Sequence, residues 1–277
     1  MSNRIKLFCF GFGLTAKYLV NLLLNKKINF SMAGTSRSER RDKNIFYFND
    51  NNFDKEILEY LKNSTHILIS TPPNTEDSFI KNFSSIIFEN KNLIWLGYLS
   101  STSVYGDHQG QWVTEVSETK PMTETGIKRL SAEKKLLDTN LPVRIFRLSG
   151  IYSPERNIFQ RLKDSNYKMI NSNNQIFSRI HIEDIAQTLL YSFQKSKPKD
   201  IFNVSDDYPC AYTEVVKYAC NLLSSKMPEQ VSLEDVPEGK LKDFYQDSKQ
   251  VSNHKIKLLG IKLKYPTYKE GLKSILD

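Results

Sequence analysis

The sequence predicts an α/β protein built on an open parallel sheet, and three observations near the N-terminus predict it. Ile5, Leu7, Phe8, Cys9 and Phe10 form a short apolar run of the kind a strand covered on both faces needs. Tyr18, Leu19, Leu22 and Leu23 then repeat at helical spacing. Between the two lies Gly11-Phe12-Gly13-Leu14-Thr15-Ala16, so a strand feeds a helix through two glycines. Strands and helices go on alternating along the chain, which is the pattern of a doubly wound parallel sheet with right-handed crossovers.

The glycine turn suits a dinucleotide. Gly11 allows the tight turn, Gly13 lets the backbone come close to a pyrophosphate, and Ala16 is small enough for the helix to lie against the sheet. Gly11, Phe12, Gly13, Leu14 and Thr15 are therefore the expected phosphate-binding residues of a Rossmann-type fold, helped by the helix dipole. The second strand, Asn29 to Gly34, runs into Thr35-Ser36-Arg37-Ser38 with no acidic residue to bind a ribose 2′-hydroxyl. Ser36 and Arg37 instead suit a 2′-phosphate, which favours NADP over NAD as the cofactor. Further along, Ile45 to Phe48 reads as a strand, Asp54 to Leu61 as a helix and His66 to Ser70 as a buried strand. Thr71-Pro72-Pro73 ends that strand as a stiff loop expected to pass over the cofactor, although plain turn chemistry explains these residues equally well. A helix from Glu76 to Phe88 leads to a fifth strand, Asn92 to Leu99.

At 277 residues and 39% hydrophobic composition the chain supports one large α/β domain with a modest second lobe. No run of 18 apolar residues occurs and no leader pattern precedes the first strand, so a soluble cytoplasmic protein without membrane partners is expected. Three cysteines without CxxC spacing and four scattered histidines argue against a disulfide framework or a metal site. The net charge of +8 is spread along the chain and mixed with acids, which argues for solvated faces and against a nucleic-acid partner.

Leu99 to Gly106, LSSTSVYG, together with the glycine turn, resembles the extended short-chain dehydrogenase/reductase family of epimerases and dehydratases. Pro142 to Tyr152, Arg179 to Ala186 and Ile201 to Asp206 resemble later segments of that family in the same order. The resemblance places Ser101 at the catalytic serine/threonine position, where its hydroxyl would donate to a substrate oxygen; a strand-end serine capping backbone is the plainer reading. The family's Tyr-x-x-x-Lys pair is missing. Aligned on Glu133, Thr125 stands at the tyrosine position and Arg129 at the lysine position. A threonine has no pKa near neutrality to use, whereas Arg129 could still bind ribose hydroxyls or a phosphate. Tyr105 and His108 are candidate stand-ins for proton transfer. Tyr105 to Glu115 and Val251 to Leu272 resemble the atypical branch called NAD-dependent epimerase/dehydratase-like, whose members often lack the pair.

The expected organisation is a dinucleotide-binding domain over residues 1–150, with 180–205 returning to it, and a substrate lobe over 151–179 and 206–277. Arg156, Asn157, Arg179 and His181 are candidates for polar or phosphate groups of a small-molecule substrate, and Asp184 for orienting the helix it opens. Ala211 to Leu223 reads as an amphipathic helix and Leu233 to Asp247 as charged, mobile surface. A homodimer is compatible with the resemblance. Two functions follow: an NADP-dependent oxidoreductase, epimerase or dehydratase with an altered site, or a catalytically silent NADP(H) sensor.

Overall fold

The computed structural model describes residues 4–38, 43–49, 52–72, 76–171, 175–236, 239, 245 and 247–276. The chain divides into two compact units: residues 1–100, 128–147 and 185–202, and residues 101–127, 148–184 and 203–277. Residues 101–127 thus fall in the second unit, whereas the sequence reading had put them in the first.

The first unit is organised on an eight-stranded sheet. In chain order its leading elements are β1 (Ile5–Phe10), α1 (Leu14–Asn25), β2 (Phe30–Ser36), β3 (Ile45–Asn49), β4 (Asn52–Phe53), α2 (Glu56–Asn63), β5 (His66–Ile69), α3 (Glu76–Glu89), β6 (Trp95–Ser101) and α4 (Glu124–Leu137). The sheet order is Ile201–Val204, Val143–Leu148, β6, β5, β1, β2, β3, β4. Pairings β1–β2, β1–β5, β2–β3 and β5–β6 are parallel, and β4 turns back antiparallel on β3. This is the expected Rossmann-type sheet. Phe8 and Phe10 join Ile57, Leu61, Phe79 and Phe83 in one core, while the equally buried Leu7 and Cys9 point to the opposite face. Burial on both faces explains the unbroken apolar run in β1.

Where boundaries differ from expectation, a side chain decides. Asp54 does not open α2, because its carboxylate accepts from Tyr47 N at 2.7 Å and holds a turn. Asn92 does not open β6: Asn90 donates to Leu61 O and Ser64 O and accepts from Asn92 N, fixing a loop there. Between α4 and the sheet, Arg147 grips Glu133 through Nε and Nη2 at 2.8–3.2 Å, and Ser100 donates to the same carboxylate. All three are buried, so neither charge is left without a partner.

The second unit has no large sheet. Short parallel pairs join Gly150–Tyr152 to Arg179–His181, Met169–Ile170 to Gln230–Val231, and Trp112–Val113 to Gln250–Val251. Its core packs Phe159, Met169, Val216, Ala219 and Cys220 with Tyr268 and Leu272. The amphipathic helix expected near Ala211 runs Tyr212–Leu222 and buries Val215, Val216, Ala219 and Cys220. The stretch expected as mobile surface is partly core: Val236, Tyr245 and Asp247 are buried, and Tyr245 packs edge-on against Phe177. A charged composition hid these anchors, since isolated apolar residues carry no periodicity.

Candidate functional site

In the first unit the strand succession runs outward from β1 to β3 and then resumes on the other side at β5. The carboxyl ends of β1 and β5 therefore flank the switch point at which ligands bind in open α/β sheets. The glycine turn lies there. Gly11 has φ +89°, a conformation that favours glycine, and a Cβ on it would stand 2.8 Å from Thr71 Cγ2. Gly11 N donates to Thr35 Oγ1 and Phe12 N to Thr35 O, which fixes the turn on β2. Gly13 opens α1 with no side chain capping it, and a Cβ there would meet nothing within 4 Å. The first N–H groups of α1, which include those of Leu14 and Thr15, thus have no capping side chain, an arrangement that suits a pyrophosphate. Thr71 Oγ1 is buried without a partner. Ser36 and the exposed Arg37 follow at the end of β2, where Ser36 Oγ accepts from Ser38 N. Pro72 is exposed beside Thr71, and Pro73 lies outside the described residues.

Arg129 is bound to protein oxygens. Its Nη1 donates to Tyr98 OH (2.9 Å) and Leu99 O (2.8 Å), and its Nη2 to Thr71 O (3.2 Å). It fastens the ends of β5 and β6 and so reaches the cradle through protein oxygens.

In the second unit a cavity of about 290 Å³ gathers Ser101, Ser103, Thr125, Ser149, Ser178, Asp247 and Lys249. Ser101 Oγ accepts from Ser103 N at 3.1 Å. Ser101 thus caps the turn as an acceptor, and a hydroxyl that accepts still carries its own proton. Thr125 sits in the first turn of α4, with Oγ1 3.2 Å from Thr123 Oγ1. Tyr105 is not among the lining residues; it is fully buried and donates to Asn203 Oδ1 at 2.7 Å. His108 is absent too, and its Nε2 lies 3.2 Å from Glu118 O. These two stand-ins are packing and loop residues, tied down by partners the sequence order conceals.

A second cavity of the same unit, about 520 Å³, is lined by Arg156, Arg161, Arg179, Tyr212, Tyr245 and Tyr268, among others. Arg179 uses Nη1 on Phe177 O (3.0 Å) and on Cys210, while its buried Nη2 has no partner. Arg161 donates to Tyr212 OH at 3.1 Å. Arg156 belongs to this cavity as expected, whereas the Asn157 side chain caps the helix Ile158–Leu162 and bonds Ser153 O and Pro154 O. His181 is a packing residue between Tyr152 and Tyr265, pushed down to about 4 by burial. Asp184, in the first turn of the helix Ile182–Lys195, accepts from Lys264 N and Tyr265 N and so fastens the C-terminal segment. Arg161, Asp247 and Lys249 escaped sequence reasoning. Each is a single charged residue with no motif around it.

All three cysteines are buried and free, and burial pushes Cys9 up to about 12. Among the described residues no group of histidine, cysteine and carboxylate side chains could hold a metal ion, and no helix is long and apolar enough to cross a membrane.

No family model matches the chain. A functionally unknown conserved protein from Silicibacter pomeroyi is 35% identical, with a TM-score of 0.88 over 98% of this chain and 97% of that one. An ADP-L-glycero-D-manno-heptose-6-epimerase of Brachyspira hyodysenteriae is 22% identical over 94% of this chain and 78% of its own length. Human SDR39U1, solved with NADPH, shares the fold at 13% identity, with a TM-score of 0.73 over 97% and 98% of the two chains.

Proposed function

We propose that the chain is an NADP-dependent oxidoreductase, epimerase or dehydratase of the epimerase/dehydratase-like family of extended short-chain dehydrogenases/reductases, a reading supported by its likeness to the Brachyspira epimerase. Its substrate is polar and phosphorylated or nucleotide-linked. The observation that carries this reading is the uncapped start of α1 at the switch point, with open space where Gly13 would bear a side chain. Gly11, Phe12, Gly13, Leu14 and Thr15 hold the pyrophosphate, Thr71 and Pro72 border it, and Ser36 and Arg37 take the 2′-phosphate. Bound there, the dinucleotide supplies or accepts hydride at its nicotinamide ring.

The chain's own residues bind and orient the substrate. Ser101, already an acceptor from Ser103 N, donates its proton to the reacting oxygen and stabilises charge developing on it. Arg179 Nη2, with Arg156 and Arg161, meets the anionic part of the substrate. Thr125 fills space and takes no proton. Support for an NADP preference comes from the missing acid at the end of β2 and from Arg37. Calorimetry of the full chain with NADP and NAD tests the cofactor, and equal affinities sink the preference. Consumption of NADPH with carbonyl compounds, followed by fluorescence, tests for turnover.

A second reading, a silent NADP(H) sensor, draws on Arg129. Its donors bond Tyr98, Leu99 and Thr71, so the position of the family's lysine no longer serves the chemistry. Tight cofactor binding with no turnover over a broad substrate panel favours that reading.

A further inference from the structure

We infer that Lys249 is the proton-transfer residue of the 290 Å³ cavity, giving a proton to, and taking one from, the substrate oxygen that Ser101 holds. This rests on the reading of the chain as an enzyme and names the acid/base group that Thr125 cannot supply.

Lys249 is 8% exposed and lines the same cavity as Ser101 and Thr125. It is held from several sides. Ser248 N donates to Asp107 Oδ1, His108 N and Gly110 N donate to Ser248 O, and Lys249 N donates to Ile176 O. The ammonium donates to Gly106 O at 2.8 Å and Asp247 Oδ2 at 3.1 Å. An ammonium has three N–H groups, so this geometry leaves one for a ligand. Two other lining groups, Asp247 Oδ1 and Ser149 Oγ, are buried without partners. A cavity with several polar groups awaiting hydrogen bonds suits a substrate bearing several hydroxyls.

The charged groups facing the ammonium are Asp247 and, further off, Asp107. Burial pushes Lys249 below the ordinary lysine range against the pull of both carboxylates, which moves it toward a useful acid/base. In the reductive direction the substrate oxygen gains the proton and the amine is left neutral. The hydride that balances the carbon is what the dinucleotide supplies, and water reprotonates the amine.

The full chain is methylated reductively with ¹³C-formaldehyde and a borane, and the methyl signal absent from Lys249→Arg is titrated by NMR. A midpoint below that of surface lysines, lowered further in Asp247→Asn, is expected. A signal that titrates with the surface lysines, or no labelling at Lys249, overturns the inference. In a second arm, NADPH consumption is measured with dihydroxyacetone phosphate, fructose 6-phosphate and UDP-4-keto-glucose. Lys249→Arg keeps the charge but cannot release its proton, so kcat should fall at least 100-fold while Tm is unchanged. The parent's kcat should decline as pH rises through the NMR midpoint. Undiminished turnover in Lys249→Arg overturns the inference, and so does a parent silent with all three probes. Because the titration reads the amine without cofactor or substrate, that silence is distinguishable from failure of the lysine to titrate.

Discussion

The cradle of the first unit is made of backbone, and the cavity of the second is made of side chains. Gly11 and Gly13 act by what they lack, and the N–H groups they expose belong to the start of one helix. Ser101, Thr125, Ser149, Ser178 and Lys249 come from five separate stretches of sequence. A backbone site tolerates drift in side chains but not in conformation, whereas a side-chain site is open to replacement one residue at a time. The glycine turn therefore shows in consecutive residues, whereas most of the cavity is gathered from distant ones.

The largest expected effect tests the scaffold under the cradle. Glu133→Ala removes the carboxylate that the buried Arg147 guanidinium and the Ser100 hydroxyl bind, so unfolding free energy should drop by about 3–5 kcal/mol in a denaturant titration. Next in size is the cavity. Once a substrate is found, Ser101→Ala should lower kcat about 10²–10³-fold with cofactor affinity unchanged, and Thr125→Val should change it little. A large loss at Thr125 with none at Ser101 would mean that the hydroxyls have exchanged roles. For the cradle, Arg37→Ala should weaken NADP by about 1.5–3 kcal/mol by calorimetry and leave NAD alone.

The smallest effect separates the units by pH. Burial, with Arg144 nearby, pushes His66 in the first unit down to about 4 from 6.5. The folded state keeps this ring neutral while the unfolded chain protonates it, so stability is full above about 6.5 and falls as pH drops toward 4. In the second unit His181 acts in the same sense. Asp206, however, is pushed up to about 8 by burial, so its contribution is present at low pH and lost as pH rises from 3.8 to 8. The two offset each other in mild acid. Hydrogen exchange at pH 7 and pH 5 should show protection falling more in β1 and β5 than in Tyr212–Leu222, and His66→Phe should recover about 1 kcal/mol of the loss. Equal losses in the two units would remove Asp206 as the compensating group.

The contrast also explains what could be read from the sequence. A glycine turn is legible because its constraint is local: a positive φ at Gly11 and an uncapped helix start at Gly13 fall within six consecutive residues. The sheet is legible because burial on both faces leaves runs such as Leu7 to Phe10 and Ile67 to Ile69. Lys249 was illegible because its meaning depends on Gly106 and Asp247, and nothing along the chain relates it to Ser101. Tyr105 misled for the converse reason: its hydroxyl is satisfied by Asn203, 98 residues away.

Arg129 makes exchange for lysine costly to the fold. Its planar fork reaches Tyr98 OH, Leu99 O and Thr71 O at once, and the single nitrogen of a lysine cannot span that arc. Thr125→Tyr with Arg129→Lys would therefore supply the missing phenol and amine while untying two strand ends. The present residue thus acts as a ratchet: once three oxygens depend on the guanidinium, the path back runs through a less ordered cradle.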